Sequence, residues 1–251
     1  MTVEPRISVI TVCFNAQRSI EATVRSVLAQ TYANIEYIVI DGRSTDNTLA
    51  IVEKYQGKIA KIISEKDNGI YDAMNKGVRH ATGDVVYFLN ADDRFYDDNV
   101  IAEVAAQFKN NPGLDIVYGK VQGENFPANV KFSYERSFIR PFKSRRDLLK
   151  TVLCHQRIFP KKELFHDNGI FDVRYKVYAD YDWLLRNYRR GANIKFFDRF
   201  VTYYDCQGAS FRSRRAAMLE KARIICRNFA FFDFLFYLVY ATLRSIKRGS
   251  I

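Results

Sequence analysis

Two short polar clusters stand where apolar runs end, and their residue types can do chemistry. The run from Ile35 to Ile40 leads into Asp41-Gly42-Arg43-Ser44-Thr45-Asp46-Asn47-Thr48, and the run from Val85 to Leu89 leads into Asn90-Ala91-Asp92-Asp93. Ser44 to Asn47 read as a turn and a helix N-cap, because Ser, Thr and Asp side chains accept from the free amides of a first helical turn. Asp41 stands at the end of its run, where a carboxylate can accept from a ribose hydroxyl or a base edge. The adjacent carboxylates of Asp92 and Asp93 repel each other unless something positive sits between or beyond them. A divalent cation, Mg2+ or Mn2+, is the economical answer: it takes one or two carboxylates and completes its shell with water and substrate phosphates. The alternative is that Asp93 only caps a following helix. Elsewhere, Asp67-Asn68-Gly69 fits a tight turn, and His155 with Gln156 precedes a further apolar, strand-like run. No G-x-x-x-x-G-K-[ST] occurs, and no G-x-G-x-x-G follows the first apolar run, so P-loop and dinucleotide readings fall away.

The elements that must position these residues follow from hydrophobic spacing. Up to about residue 120, short apolar runs alternate with helix-periodic segments, the signature of β-α-β units and a mostly parallel sheet. Strands are expected at Ile7 to Cys13, Ile35 to Ile40, Ile59 to Ser64, Val85 to Leu89 and Asp115 to Val121. Ile20, Val24, Val27 and Leu28 fall on one helical face. Thr45 to Tyr55, Tyr71 to Ala81 and Asn99 to Phe108 supply the next helices. In such sheets ligands bind beyond the carboxyl ends of the strands, where both polar clusters lie. After Gln122 the alternation weakens. A Phe-, Arg- and Lys-rich stretch to Lys150 reads as loops or an inserted hairpin, followed by a helix from Asp180 to Arg190, strands at Ile194 to Phe197 and Phe200 to Tyr204, and one or two terminal helices.

Composition sets outer limits. The 251 residues are 48% hydrophobic and 27% charged, which excludes disordered, collagen-like and multi-span membrane classes. Cys13, Cys154, Cys206 and Cys226 lack the close spacing of a zinc site and read as reduced core thiols of a cytosolic protein. No N-terminal signal peptide is visible. The net charge of +11 concentrates in two places: residues 212–251 carry nine basic residues against Glu220 and Asp233, and residues 131–150 carry seven against Glu135 and Asp147. The rest, which holds the carboxylate clusters, is nearly neutral. That map argues against a metal-dependent nuclease or phosphotransferase and against nucleic acid as partner.

The segments ISVITVCFNAQRSIEATVRSVLAQTYANIEYIVIDGRSTDNT and EKDNGIYDAMNKGVRHATGDVVYFLNADD resemble the nucleotide-diphospho-sugar domain of family 2 glycosyltransferases, which has the GT-A fold, over residues 5–121. CHQRIFPKKELF and DVRYKVYADYDWLLR are similar to the acceptor half of the bacterial branch that builds surface polysaccharides and glycolipids. The resemblance implies a glycosyltransferase domain over residues 1–211, with the acceptor half at 122–211 and a helical, basic and aromatic extension at 212–251. It implies inverting transfer from a nucleoside diphosphate sugar, UDP by default with GDP or dTDP as alternatives, to a glycan or lipid-linked acceptor.

Carried over by position, Asp41, Thr11 and Cys13 to Asn15 lie against the nucleoside, and Asp67 helps hold base or ribose. Lys76 and Arg79 face the donor; alternatively they are solvated helix charges. The family's Asp-x-Asp becomes Asn90-Ala91-Asp92, leaving Asp92 as metal ligand and Asn90 as a hydrogen-bonding partner of the ribose. Asp93 stays a second ligand or an acceptor contact. Asp180 takes the place of the general base, with an N-cap as its bland alternative. Asp182, about 200° around the helix, reads as structural although it adjoins the acceptor pocket with Trp183, His155 and Gln156. Ser210 and Arg212 match a loop that closes on the diphosphate.

A non-catalytic nucleotide-sugar binder or scaffold is the other class, disfavoured by the presence of both Asp92 and Asp180. The tail segment FAFFDFLFYLVYATL, Phe229 to Leu243, is flanked by Arg223, Arg227, Arg244, Lys247 and Arg248. As a helix it rises about 22 Å against roughly 30 Å of hydrocarbon, too short for a span. It reads as a surface anchor on anionic lipid at the inner face of the cell membrane, with core packing or a homodimer contact as alternatives.

Overall fold

The computed structural model describes residues 4–125, 139–142, 144–150, 152–206 and 214–229, with single positions 233, 235, 237 and 239. Four parallel strands, β1 (Ile7–Cys13), β2 (Ile35–Asp41), β3 (Lys61–Ser64) and β4 (Val85–Phe88), pair in the order β3-β2-β1-β4. Successive residues of the central strands serve opposite faces. Ile10, Val12, Ile38, Ile40, Val86 and Phe88 join one apolar cluster, and Val9, Cys13, Tyr37, Val39, Val85 and Tyr87 join the other. Such two-sided burial is what nearly unbroken apolar strands require. Helices α1 (Ile20–Leu28), α2 (Thr48–Glu53) and α3 (Ile70–His80) make the crossovers. α3 lies so close to the sheet that a Cβ at Gly77 would run into Ile10.

A second sheet follows, with β5 (Arg94–Phe95), β8 (Ile194–Asp205), β6 (Ile116–Glu124) and β7 (Ile158–Pro160) in that spatial order. Here β6 and β8 run parallel while β5 and β7 pair antiparallel at the flanks. Among the described residues an isolated bridge, Val85 to Lys161, joins the two sheets, beside a Tyr87–Phe159 stack. α4 (Val100–Asn110), α5 (Arg145–Lys150), α6 (Glu163–Asp167), α7 (Ala179–Arg189) and α8 (Arg214–Asn228) complete the described residues.

Three expectations need correction. The helix from Thr45 to Tyr55 shortens to α2 with a 3-10 turn at Gln56–Lys58, because Ser44 to Asp46 form a bonded loop and Asp46 Oδ1 accepts from the Thr48 amide at 2.9 Å. The strands expected at 194–197 and 200–204 are one strand, β8, with register shifts against Tyr118, Lys120 and Val121. Its polar middle hid the continuity: Arg199 is neutralised by Asp97 and Glu103. The stretch after Gln122 continues β6 to Glu124 and holds α5. Cys13 and Cys206 are buried free thiols as expected, whereas Cys226 is exposed.

α8 shares the main core. Ile224 and Ile225 are fully buried, and Asn228 Nδ2 donates to Asp182 at 3.1 Å. At the described positions of the aromatic tail, Phe229 and Tyr237 are buried while Leu235 and Val239 are exposed. Among the described residues no helix is long and apolar enough to cross a membrane.

Candidate active site

The carboxyl edge of the first sheet is closed by its own hydrogen bonds. Asp41 is fully buried, and its oxygens accept from the Ser44 amide at 3.0 Å and the Ser64 hydroxyl at 2.6 Å, with the Cys13 thiol at 3.7 Å. Burial and the facing Asp41 carboxylate push the Cys13 thiol up, so it stays protonated. Asn15 adopts a left-handed φ of 50° and accepts from the Thr45 amide at 2.8 Å, tying the first loop to the second. Asp41 and Asn15 thus hold the loops that frame the edge.

Beside them Phe14, within the expected Cys13 to Asn15 stretch, is 62% exposed. A Cβ at Gly42 would lie 2.5 Å from Asp67 Oδ2 and 3.4 Å from the Phe14 ring. Only glycine therefore lets the Asp67 carboxylate lie across the loop next to the ring. The result is a shelf with an apolar face and a carboxylate rim, which suits a flat base with a ribose attached.

Two nucleoside-side expectations are corrected. Thr11 is fully buried, its hydroxyl accepting from Tyr37 at 3.1 Å inside the sheet. Arg79 lies at the far end of α3, beside His80, whose carbonyl accepts from Lys61 at the start of β3. In a parallel β-α-β unit that end faces away from the ligand edge. Lys76 is buried and pinned by Glu65 at 2.9 Å and the Lys66 carbonyl at 2.6 Å, which places its charge under the β3 loop.

The loop after β4 is pinned by α1: the Thr23 hydroxyl is 2.9 Å from the Ala91 carbonyl and 2.7 Å from that of Asp93. Ala91 is buried in the core, so its side chain makes no donor contact. Asp92 is exposed and accepts from the Ser19 hydroxyl at 2.6 Å, which leaves carboxylate lone pairs turned to solvent. Asp93 turns inward, accepting from Gln156 Nε2 and the Asp205 amide, each at 3.1 Å. Burial, against those hydrogen bonds and with the Asp92 and Asp205 charges adding to it, lifts its carboxyl to about 8. Bonded inward to Gln156 and the Asp205 amide, the Asp93 carboxyl is turned away from the exposed side where Asp92 faces solvent, which corrects its place as a second ligand or an acceptor contact.

Asn90, His155 and Asp180 form one chain of hydrogen bonds. Asn90 Nδ2 is 3.0 Å from His155 Nε2, and His155 Nδ1 is 3.0 Å from Asp180 Oδ2, which also accepts from the His155 amide at 3.0 Å. Asp180 Oδ1 accepts from the Tyr71 hydroxyl at 3.1 Å and the Tyr181 amide at 2.8 Å. Burial, with Asp180 beside it, keeps the Tyr71 phenol protonated and donating. Asn90 Oδ1 and Gln156 Oε1 are buried without a partner, so this pocket has unspent acceptors. Tyr71 was not legible as a site residue; its only signal is a polar aromatic following the Asp67 turn.

Asp182 and Trp183 leave the pocket. Asp182 is fully buried against Arg186 at 2.9 Å and Asn228. Trp183 is fully buried, stacked on Phe165 at 4.3 Å. Ser210 and Arg212 lie outside the described residues. Among the described residues no group of three His, Cys, Asp or Glu side chains is placed to hold a metal.

Comparison with known proteins gives this edge a lineage. The chain is 35% identical over 195 residues to a PGL/p-HBAD biosynthesis glycosyltransferase of Mycobacterium bovis, covering 76% of this chain and 72% of that one. It is 32% identical over 138 residues to the UDP-Glc:alpha-D-GlcNAc-diphosphoundecaprenol beta-1,3-glucosyltransferase WfgD of Escherichia coli, covering 52% and 54%. S. aureus TarS 1–349 in complex with UDP-GlcNAc superposes with a TM-score of 0.71 at 21% identity, covering 90% of this chain and 68% of that one. Against the longer TarS chain the coverage is 40% of its length. Mannosyltransferase PcManGT from Pyrobaculum calidifontis, in complex with GDP-Man and Mn2+, gives 0.67 at 20% identity, covering 89% and 63%. These folds match the GT-A expectation, and the profile of glycosyl transferase family 2 matches residues 8–218, so the chain belongs to glycosyl transferase family 2.

Proposed function

We propose that this chain performs inverting sugar transfer from a nucleoside diphosphate sugar to a hydroxyl of a glycan or lipid-linked acceptor. The observation that carries it is the Asn90–His155–Asp180 chain, set at the same edge as the exposed Asp92 and the Phe14–Asp67 shelf. The base lies on Phe14 with its ribose toward Asp67 and Asn90. UDP is the favoured nucleotide, in keeping with the names of WfgD and of the TarS complex; the PcManGT complex keeps GDP as an alternative, with dTDP.

In the transfer the acceptor oxygen bonds the anomeric carbon as the bond from that carbon to the diphosphate oxygen breaks. The acceptor proton goes to Asp180, and the nucleoside diphosphate leaves with the bonding electrons. The His155 and Tyr181 amides and His155 Nδ1 fix the Asp180 carboxyl in place, with the Tyr71 hydroxyl shared between it and the Val177 carbonyl, and a carboxylate suits a base that takes its proton late, once the attacking oxygen has become acidic. His155 keeps Asp180 in place and is itself held by Asn90.

Asp92 fits as the single protein carboxylate for Mn2+ or Mg2+, a mode these ions accept when substrate phosphates supply further oxygens. When bound, the ion would offset the charge of the departing diphosphate. A lipid-linked acceptor, as in the name of WfgD, accords with a chain that works peripherally at the inner face of the membrane.

A thermal-shift panel of nucleotide sugars with and without Mn2+ tests this reading, since a ligand at 100 times its Kd adds about 2.7 kcal/mol of apparent stability. UDP-sugars should stabilise the wild type in a Mn2+-dependent way and lose that dependence in Asp92→Ala. Full turnover by Asp92→Ala, or by the wild type in EDTA, would remove the metal, and stabilisation without any transfer would favour the non-catalytic binder.

A further inference from the structure

On the outer side of α8 a cavity of about 400 Å³ is lined by Arg174, Tyr175, Leu219, Glu220, Arg223 and Arg227. Positions 219, 223 and 227 are spaced i, i+4 and i+8, so they form one stripe of the helix. The acidic side chains here are already committed. Glu220 accepts from the amides of Lys176, Val177 and Tyr178 at 2.9, 2.8 and 2.6 Å, fixing the loop that leads into α7. Asp172 pairs with Arg174 at 2.6 Å and with Arg227 at 3.5 Å, and the Arg174 hydrogen bond leads in holding its carboxyl down to about 2. One carboxylate thus serves two guanidinium groups, and Arg223 has no ion pair among the described residues. The cavity keeps a net positive charge.

Its rim is apolar. Leu219 and Met218 are 63% and 59% exposed, and Ile170 and Val173, next to Arg174, are exposed as well. A site for a soluble anion gains nothing from exposed aliphatic groups around its cations. At a bilayer surface both parts find partners: aliphatic side chains enter the headgroup boundary while guanidinium groups bond phosphate oxygens.

We propose that this cavity receives the headgroup phosphate of an anionic membrane phospholipid and so docks the domain through α8 and the 170–175 loop. The inference rests on the membrane part of the proposed function but moves the contact from the aromatic tail to a defined pocket. The same segment leads on to Asp180, and Lys176 Nζ reaches the Asn68 carbonyl at 3.5 Å, which ties the docking loop to the Asp67 turn of the candidate site.

Cosedimentation of the full chain with vesicles of phosphatidylcholine, with and without phosphatidylglycerol, tests it. Wild type should bind only the anionic vesicles. Arg223→Glu and Leu219→Asp should each weaken that binding by about tenfold or more, with donor hydrolysis unchanged. Lys54→Glu alters net charge equally at the end of α2, across the sheet from α8, and should bind as wild type. If Arg223→Glu binds like wild type, or Lys54→Glu weakens as much, the pocket is overturned while the membrane reading stands. If the wild type binds neither vesicle, the membrane reading fails and the pocket with it. Heat protection by inorganic phosphate that Arg223→Glu loses, with no vesicle binding, would reassign the cavity to a soluble phosphate and overturn the lipid.

Discussion

Asp41 and Asp180 are both buried carboxylates at the ligand edge, and they spend their oxygens differently. Asp41 is bonded by neutral groups from adjoining loops, Ser44 three residues away and Ser64 twenty-three away, and its cluster has no spare acceptor among the described residues. Asp180 is bonded by Tyr71 from 109 residues away and by the imidazole of His155, beside which Asn90 Oδ1 and Gln156 Oε1 have no partner. A closed cluster of short-range bonds makes a frame. A long-range cluster with an ionisable neighbour and unspent acceptors is where substrate groups can enter and protons can move.

The sharpest way to break this contrast is Asp180→Asn. It keeps shape and part of the hydrogen bonding but takes no proton, so transfer should fall by roughly 10² or more while donor binding persists. Asp182→Asn, by contrast, should lower Tm through its lost pairing with Arg186 while sparing the chemistry of the folded enzyme. Wild-type turnover by Asp180→Asn would reduce the Asp180 cluster to a second frame.

On the frame side, Phe14→Ala removes the shelf's apolar face without touching Asp41. Donor affinity should drop by about 1–3 kcal/mol, the usual worth of base stacking on an aromatic ring, with little change in Tm. Calorimetric titration of UDP reads both halves of that expectation, and an unchanged Kd would place the base elsewhere.

Stability against pH separates the two regions as well. Because the folded chain raises the Asp93 carboxyl to about 8, it binds a proton that the unfolded chain has already released, and stability declines as pH rises from the ordinary carboxylate range through about 8. Asp93→Asn should flatten that decline in urea titrations made in EDTA. An unaltered slope would locate the buried proton on another group.

How much was legible follows the same division. The first sheet showed in the sequence because both-faced burial leaves apolar runs with polar residues at their ends, and Asp41 and Asp92 stand at such ends, whereas Asp180, opening a helix, came only from the family resemblance. Arg79 misled because it was carried over from the family pattern, while its place in the last turn of α3 puts it at the end that faces away from the ligand. Thr11 misled because a hydroxyl inside an apolar strand looks the same whether it meets a substrate or Tyr37. The His155–Asn90 and Tyr71–Asp180 bonds join segments 65 and 109 residues apart, beyond what local spacing encodes.

The division into two sheets also bears on the order in which the chain can pair during synthesis. The first sheet draws all its strands from residues 7–88 through short crossovers and can pair as soon as they leave the ribosome. β6 must wait for its parallel partner, since Ile116 meets Ile194, and closing so long a loop is slow. Until then β6 lacks one of its two partner strands, a kind of unpaired edge that favours association between unfinished chains. The half of the molecule that brings His155 and Asp180 is thus the one whose pairing must span the greater sequence distance.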